Sequence, residues 1–285
     1  MRITPEPSIS GKLSTATLIS SDRITPAKSR EDVQHLVFRT HDFDLDCELG
    51  QCLLVMAPGQ YGKKYHHRLY SVAEINRDNP DSTDFALCVR RCSYVDEVSG
   101  EEYPGIASNY LCDLKPGDTI EFSGPTGYPF EIPRNNNADI VMIGMGTGIA
   151  PFRGLIKLIY DKHGGWKGKV RLYYGARTGL DLLYMNDENN DLANYYEQET
   201  FKAFQAVSLR PHFDEPANVD KIIEQNAGEM KELLQRPDTR VYLAGVEVMQ
   251  TMVDKAMSSI FGSEAAWNKT KAELESSGRW SEVIY

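Results

Sequence analysis

Three groups of residues in this chain have types and spacings suited to chemistry. The first is Gly144-Met145-Gly146-Thr147-Gly148-Ile149-Ala150-Pro151, which follows the apolar run Asp139-Ile140-Val141-Met142-Ile143. Glycine permits positive φ and close approach of backbone N–H groups to a ligand. A helix start beyond the turn adds unpaired donors and a dipole that favours anions. Pro151 fits a first helical turn, where its missing N–H costs little. Such a turn suits a pyrophosphate, although its spacing differs from the GxGxxG dinucleotide fingerprint. The second group is Arg68-Leu69-Tyr70-Ser71. On a regular strand, alternation puts Arg68 and Tyr70 on one face and Leu69 and Ser71 on the other, unless the strand is distorted. Its plainest reading is a surface Arg–Tyr pair beside a buried leucine. The third group is basic: Lys63, Lys64, His66, His67 and Arg68 within six residues, then Arg90 and Arg91. It forms a solvated face, or it receives an anionic cofactor or an acidic protein.

Two kinds of scaffold must carry these groups. Between residues 13 and 132 the pattern predicts short strands at 14–20, 33–39, 52–57, 68–73, 85–91 and 119–123. Pro58-Gly59, Asn79-Pro80, Pro116-Gly117-Asp118 and Gly124-Pro125-Thr126-Gly127 punctuate them, as turns punctuate an antiparallel barrel or sandwich. After the polar stretch Pro133-Arg134-Asn135-Asn136-Asn137 the pattern changes. Apolar strands at 139–143, 170–175 and 240–244 alternate with helical stretches at 152–162, 190–204, 219–234 and 247–261. That alternation predicts a parallel sheet covered on both faces. The expected fold is therefore a two-domain β plus α/β chain. A loose arm (1–12) precedes an antiparallel barrel (13–134) and a parallel-sheet nucleotide-binding domain (135–285).

The chain has 285 residues, enough for two domains. Its net charge is −10, and both halves are acidic, which disfavours nucleic-acid and anionic-membrane partners. No apolar run reaches the roughly 18 residues of a membrane span, and the N-terminal residues lack the apolar core of a signal peptide. The five cysteines are odd in number and lack metal-type CxxC pairs. They predict reduced thiols in a cytoplasmic compartment and no cluster carried by the chain itself.

Taken in order, Arg68-Leu69-Tyr70-Ser71, Gly105 through Asp118, the glycine turn and the ending Trp280-Ser281-Glu282-Val283-Ile284-Tyr285 resemble the plant-type ferredoxin–NADP reductase family. The resemblance runs from about Leu13 to Tyr285. It implies an FAD-binding β-barrel and an NADP-binding α/β domain with a C-terminal aromatic tail. By that resemblance Arg68 holds the flavin pyrophosphate, Tyr70 packs on the isoalloxazine, and Ser71 sits near flavin N5, where hydride arrives. These roles suit the groups: guanidinium matches phosphate and an aromatic face matches a flavin ring. Cys88, Val89 and Arg90 belong to the family's next strand, and Tyr94 matches its adenine-stacking aromatic. The stretch from Ser108 and Asn109 to Leu111, preceded by Ala107, would open a helix whose backbone donors and Ser108 hydroxyl meet the FAD phosphates. A simpler role for Ser108 is as the helix N-cap. Gly146, Thr147, Gly148 and Pro151 receive NADP. Tyr285 matches the terminal aromatic that stacks on the flavin and yields to nicotinamide.

The chain departs from the family pattern at several points. Ala244-Gly245 stands where Cys-Gly is usual, and Ala107 also replaces a cysteine. The family's glutamate two residues before the terminal tyrosine, which relays a proton or orients substrate, is replaced by Val283. Glu282, one position earlier, is the candidate for that catalytic role, although an extended chain turns it to the other face. Ser208, Arg210, Lys221 and Arg177 supply a hydroxyl and three cations for a 2′-phosphate dianion, favouring NADP over NAD. The expected activity is an FAD-dependent reductase that exchanges electrons between NADPH and a one-electron carrier. The carrier would be ferredoxin or another acidic electron-transfer protein, docking near Lys63 and Lys64. The alternatives are the reductase component of an oxygenase or other multicomponent system, and a flavin-binding subunit with weak nicotinamide turnover.

Overall fold

Alternating apolar residues close the first part of the chain into a barrel. The computed structural model describes residues 12–41, 45–60, 62–162, 164–211 and 215–285. The expected N-terminal arm, apart from Lys12, lies outside them. Strands β1 (Ser14–Arg23), β2 (Val33–Thr40), β3 (Cys52–Pro58), β4 (Tyr65–Asn76) and β5 (Thr83–Arg90) come first. A short hairpin follows, β6 (Ser93–Val95) with β7 (Glu102–Pro104), then helix α1 (Ile106–Asp113) and strand β8 (Thr119–Thr126). The barrel order is β1-β2-β5-β4-β3-β8. Its inward positions include Leu18, Phe38, Leu53, Val55, Val72, Phe85, Leu87 and Phe122. Phe85 stacks on Phe38 at 5.6 Å and meets Phe122 edge-on at 5.3 Å, a geometry favoured by the ring quadrupoles. From α1, Leu111 and Cys112 join the same core.

The second part builds a parallel sheet from β9 (Ile140–Met145), β10 (Val170–Ala176), β11 (Phe201–Val207), β12 (Arg240–Gly245) and β13 (Trp280–Ile284). Helices α2 (Ile149–Lys157), α3 (Val219–Gln225), α4 (Ala227–Gln235), α5 (Glu247–Phe261) and α6 (Glu264–Ser276) connect them. Strands β9 and β10 are buried along their whole length, as befits strands covered on both faces. The chain divides into two compact units, Met1–Asp22 with Gln34–Gly127, and Arg23–Val33 with Tyr128–Tyr285.

Several expectations need correction. The stretch 190–204 is not a helix: it holds a single 3-10 turn (Asp191–Tyr195) and then β11. The residues from Phe201 pair in register with β10, Val170 opposite Phe201 through Ala176 opposite Val207. Tertiary pairing overrides local helical pattern there. The helix expected over 219–234 is broken at Asn226, whose side chain donates to the Ile222 carbonyl at 2.7 Å, ending one helix as the next begins. The residues after 279 form a fifth strand: β13 pairs in parallel with β12, Trp280 opposite Val241. Leu69 is not buried but 44% exposed.

Buried charge ties α4 to the sheet. Arg171 on β10, its side chain 5% exposed, donates to both Glu229 oxygens on α4 at 2.9 and 3.0 Å, and Lys169 lies at 3.2 Å. The Arg171 hydrogen bond, with help from Lys169, holds the Glu229 carboxyl down to about 2. A carboxyl depressed on folding stabilises the fold above its unfolded pKa and loses that contribution as pH falls through the folded value. This contribution is therefore complete above about 4.5 and gone near about 2. Glu229→Gln should lower the denaturant midpoint at pH 7, with parent and variant converging as pH falls toward about 2. Equal midpoints at pH 7 would remove Glu229 from the stability account.

Candidate functional site

In the barrel unit, β4 presents the first group. Register places Arg68 opposite Val55, Tyr70 opposite Leu53 and Ser71 opposite Cys52. Arg68 is exposed, and its guanidinium donates to the His67 carbonyl at 3.1 Å. Tyr70 is half-buried against the barrel core, and burial pushes its hydroxyl well up from the ordinary tyrosine value. The ring is thus a neutral surface. The Ser71 hydroxyl lies 3.4 Å from the Cys52 sulfur. A break in the β4–β5 register between Val72 and Glu74 follows immediately; such irregularities re-aim side chains beside functional sites.

Downstream, Cys88 and Val89 are buried, whereas Arg90 at the end of β5 is exposed. Tyr94 on β6 is 52% exposed and stacks on Tyr103 of β7 at 5.8 Å. The helix cap differs from expectation: α1 starts at Ile106 with Gly105 as its N-cap. Ala107 and Ser108 are buried inside its first turn. The Ser108 hydroxyl accepts from the Cys92 N–H at 3.1 Å. Asn109 donates to the Cys92 and Gly105 carbonyls at 2.8 and 2.7 Å and accepts from Arg91 at 3.0 Å. These side chains lock the helix start to the end of β5. With no side chain capping α1, its first-turn N–H groups are the natural anion donors.

In the second unit, topology creates the site. Strand order β11-β10-β9-β12-β13 reverses direction between β9 and β12. Ligands of open parallel sheets bind outside the carboxyl ends of strands at such a switch point. Gly146, Thr147 and Gly148 form a 3-10 turn leaving β9, and Pro151 sits in the first turn of α2. Gly146 has φ +57°, and Gly245 at the end of β12 has φ +157°. At Gly148 a Cβ would lie 1.9 Å from the Ala244 carbonyl oxygen, so only glycine lets the two strand ends approach. Tyr285 meets them: its N–H donates to the Gly245 carbonyl at 3.0 Å, and its hydroxyl lies 2.7 Å from the Thr147 hydroxyl. The ring is 53% exposed.

Glu282 faces elsewhere. Its carboxylate accepts from Gln250 at 2.8 Å and from the Trp280 indole at 3.1 Å, so it fastens β13 to α5. Val283 lies opposite Ala244. At the ends of β10 and β11, the Ser208 N–H donates to the Arg177 carbonyl at 3.2 Å, and the Ser208 hydroxyl accepts from the Arg210 N–H at 3.1 Å. Arg177 donates to the Pro211 carbonyl at 3.1 Å. Three residues of the expected phosphate clamp are therefore together. Lys221 is on α3 and pairs with Glu224 at 3.1 Å. Sequence reasoning missed Cys52 and Tyr103. The first needs the β3–β4 register and the second a hairpin of three-residue strands; neither is visible in local pattern.

The oxidoreductase FAD-binding domain family matches residues 17–130, and the oxidoreductase NAD-binding domain family matches residues 142–255. A ferredoxin–NADP reductase of Spirulina sp is 31% identical over 276 residues, covering 94% of this chain and 93% of that one. The chloroplastic leaf isozyme 1 of Arabidopsis thaliana is 32% identical over 280 residues, covering 95% of this chain and 77% of that one. Among solved structures, ferredoxin–NADP+ reductase from Plasmodium falciparum superposes with a TM-score of 0.73 over 96% of both chains at 18% identity, a likeness of fold. With this fold, these two domains and relatives that match it nearly end to end, the chain belongs to the ferredoxin–NADP reductase family.

Proposed function

We propose that this protein is an FAD-dependent reductase that moves electrons between NADPH and ferredoxin or a similar acidic one-electron carrier. Residues 13–134 would hold FAD and residues 135–285 the nicotinamide nucleotide. The observation that carries the reading is the intact Arg68-Leu69-Tyr70-Ser71 strand, with an exposed guanidinium, a neutral aromatic face and a half-buried hydroxyl in succession. An FAD fits these residues. Arg68 suits the pyrophosphate, the first-turn N–H groups of α1 suit its other oxygens, and the exposed Tyr94 ring suits adenine. Cys88 and Val89 are buried, so they would meet the ligand through their backbone, and Arg90 through its exposed side chain.

When bound, FAD supplies two-electron exchange with nicotinamide and one-electron exchange with a carrier. Ser71 orients and hydrogen-bonds the reacting ring nitrogen. Gly146, Thr147 and Gly148 admit the nucleotide pyrophosphate, and Tyr285 guards the nicotinamide position. Arg177, Ser208, Arg210 and Lys221 select the 2′-phosphate. Arg210 and Lys221 have side chains 70% and 58% exposed and lie 3.7 and 3.1 Å from Glu215 and Glu224. Exposed pairs of this kind are worth about 0–1 kcal/mol, so a phosphate dianion can draw both cations away. The small apolar pair Ala244 and Val283 replaces a thiol and a carboxylate, so hydride transfer relies on positioning by Ser71 and Tyr285. Glu282 is held by Gln250 and Trp280, so any proton path through it would have to give up one of those bonds. Five reduced thiols support a cytoplasmic compartment, and no helix among the described residues is long and apolar enough to cross a membrane.

The test is Arg68→Ala. Charge-assisted hydrogen bonds are worth about 1.5–3 kcal/mol, so FAD should bind about 10- to 100-fold more weakly while the apo-protein keeps its melting temperature. Fluorescence release of FAD on dilution reads the affinity. Undiminished FAD affinity would remove Arg68 from the pyrophosphate site.

A further inference from the structure

Ser71 has a contact that flavin binding alone does not require. Cys52 opens β3 directly opposite Ser71 on β4, and the sulfur and the hydroxyl oxygen are 3.4 Å apart. The register that creates this pair is pinned on both sides. The Val72 N–H donates to the Gln51 carbonyl at 2.9 Å, and Leu53 faces Tyr70. On its other flank, Cys52 sits where the β3–β8 register shifts, facing Thr126. A Cβ at Gly124 would come within 3.2 Å of the Cys52 carbonyl, so β8 presses the Cys52 backbone from behind. Backbone on two sides thus fixes the direction in which the Cys52 side chain leaves the strand, with its sulfur beside Ser71, and both members of the pair are half-buried.

We propose that Cys52 is a positioning residue for Ser71, a two-way hydrogen-bond partner that holds its hydroxyl in place whichever way that hydroxyl must point. The proposal rests on the assignment of Ser71 to flavin N5. A hydroxyl has one proton and accepting lone pairs. Toward an unprotonated ring nitrogen, Ser71 must donate, so its second bond must come from a donor. Toward a nitrogen that carries hydrogen, Ser71 must accept, and its own proton needs an acceptor. A thiol is a weak donor and a weak acceptor, so Cys52 satisfies Ser71 in both arrangements without moving. No covalent bond changes; only the hydroxyl and thiol hydrogens rotate. Burial pushes the Cys52 thiol up, against a smaller opposing pull from Ser71, which keeps the proton on sulfur at neutral pH.

The experiment compares Cys52→Ala, Cys52→Ser and Ser71→Ala in the full-length holoprotein, with S–H stretching followed by Raman spectroscopy. Cys52→Ser keeps a group that donates and accepts, whereas Cys52→Ala removes it. Stopped-flow flavin reduction by NADPH should slow about 5- to 10-fold in Cys52→Ala, the effect of one hydrogen bond. FAD content and the KM for NADPH should be unchanged, and Cys52→Ser should restore the rate to within about twofold. The S–H band lost in Cys52→Ser should move in the parent protein when the flavin is reduced. It should also move in the FAD-free protein on Ser71→Ala, a readout that needs no turnover. Parent rates in Cys52→Ala, a Cys52→Ser variant as slow as Cys52→Ala, or an S–H band indifferent to Ser71 and to flavin reduction would each overturn the proposal. If Cys52→Ala fails to fold, the band in the parent decides. A slow Ser71→Ala beside a normal Cys52→Ala would defeat this proposal alone. A normal Ser71→Ala would defeat the N5 assignment and this proposal with it.

Discussion

Tyr285→Ser should bind nicotinamide nucleotides about 10- to 100-fold more tightly than the parent and lose much of the NADPH-over-NADH preference. The terminal tyrosine is tethered at two points, its N–H to Gly245 and its hydroxyl to Thr147, both at the sheet's switch point. A nucleotide entering the glycine turn must compete with that arrangement. In the proposed site the ring would stack on the flavin, worth about 0.5–1.5 kcal/mol, and its hydroxyl hydrogen bond to Thr147 would contribute a similar amount. Removing both therefore removes about 1–3 kcal/mol of opposition, which sets the predicted range. The preference narrows for a kinetic reason. If the proposed 2′-phosphate clamp makes NADPH the tighter ligand, NADPH turnover becomes limited by release, whereas NADH gains productive occupancy. Equilibrium titration with both oxidised nucleotides, and kcat with both reduced ones, reads the two effects. Unchanged affinities would show that Tyr285 does not occupy the nicotinamide position.

Gly148→Ala should damage the second unit and its nucleotide site together. The new Cβ would fall 1.9 Å from the Ala244 carbonyl oxygen and 2.4 Å from its carbon. Both are backbone atoms of a central strand, which cannot step aside as a side chain can. Overpacking of this severity costs about 2–4 kcal/mol, or roughly 4–16 °C in melting temperature for a unit of this size. NADP affinity should fall below detection, because the turn must open to relieve the clash, while the barrel should still hold FAD. Gly179→Ala is the control. A Cβ there meets nothing within 4 Å, so calorimetry should find it near the parent. A Gly148→Ala protein with parental melting and NADP affinity would refute the close-approach argument.

The architecture was legible where period and punctuation agree. The β9 strand, the glycine turn and α2 follow from an apolar run, three glycines and a helical pattern, and the structure places them in that order. Legibility failed where long-range pairing decides. Phe201–Val207 is a strand because β10 offers it an edge, and Trp280–Ile284 because β12 does. Neither edge is visible from within those segments. At the candidate site the residue types were readable, but their partners were not. Ser108 reads as a cap, yet Gly105 takes the cap, and the Ser108 hydroxyl serves Cys92. Glu282 reads as a displaced functional acid, yet Gln250 and Trp280 occupy it. Such outcomes depend on register, and shifting a strand by one residue exchanges its faces.

The central claim is that this chain carries electrons from NADPH to a bound flavin. Its most direct test is an anaerobic titration of the purified yellow protein with NADPH and then NADH, following the flavin absorbance. The predicted result is rapid bleaching by NADPH, with NADH much slower. A yellow protein that neither nucleotide bleaches would contradict the account, and bleaching by NADH alone would contradict the assignment of Arg177, Ser208, Arg210 and Lys221 to a 2′-phosphate.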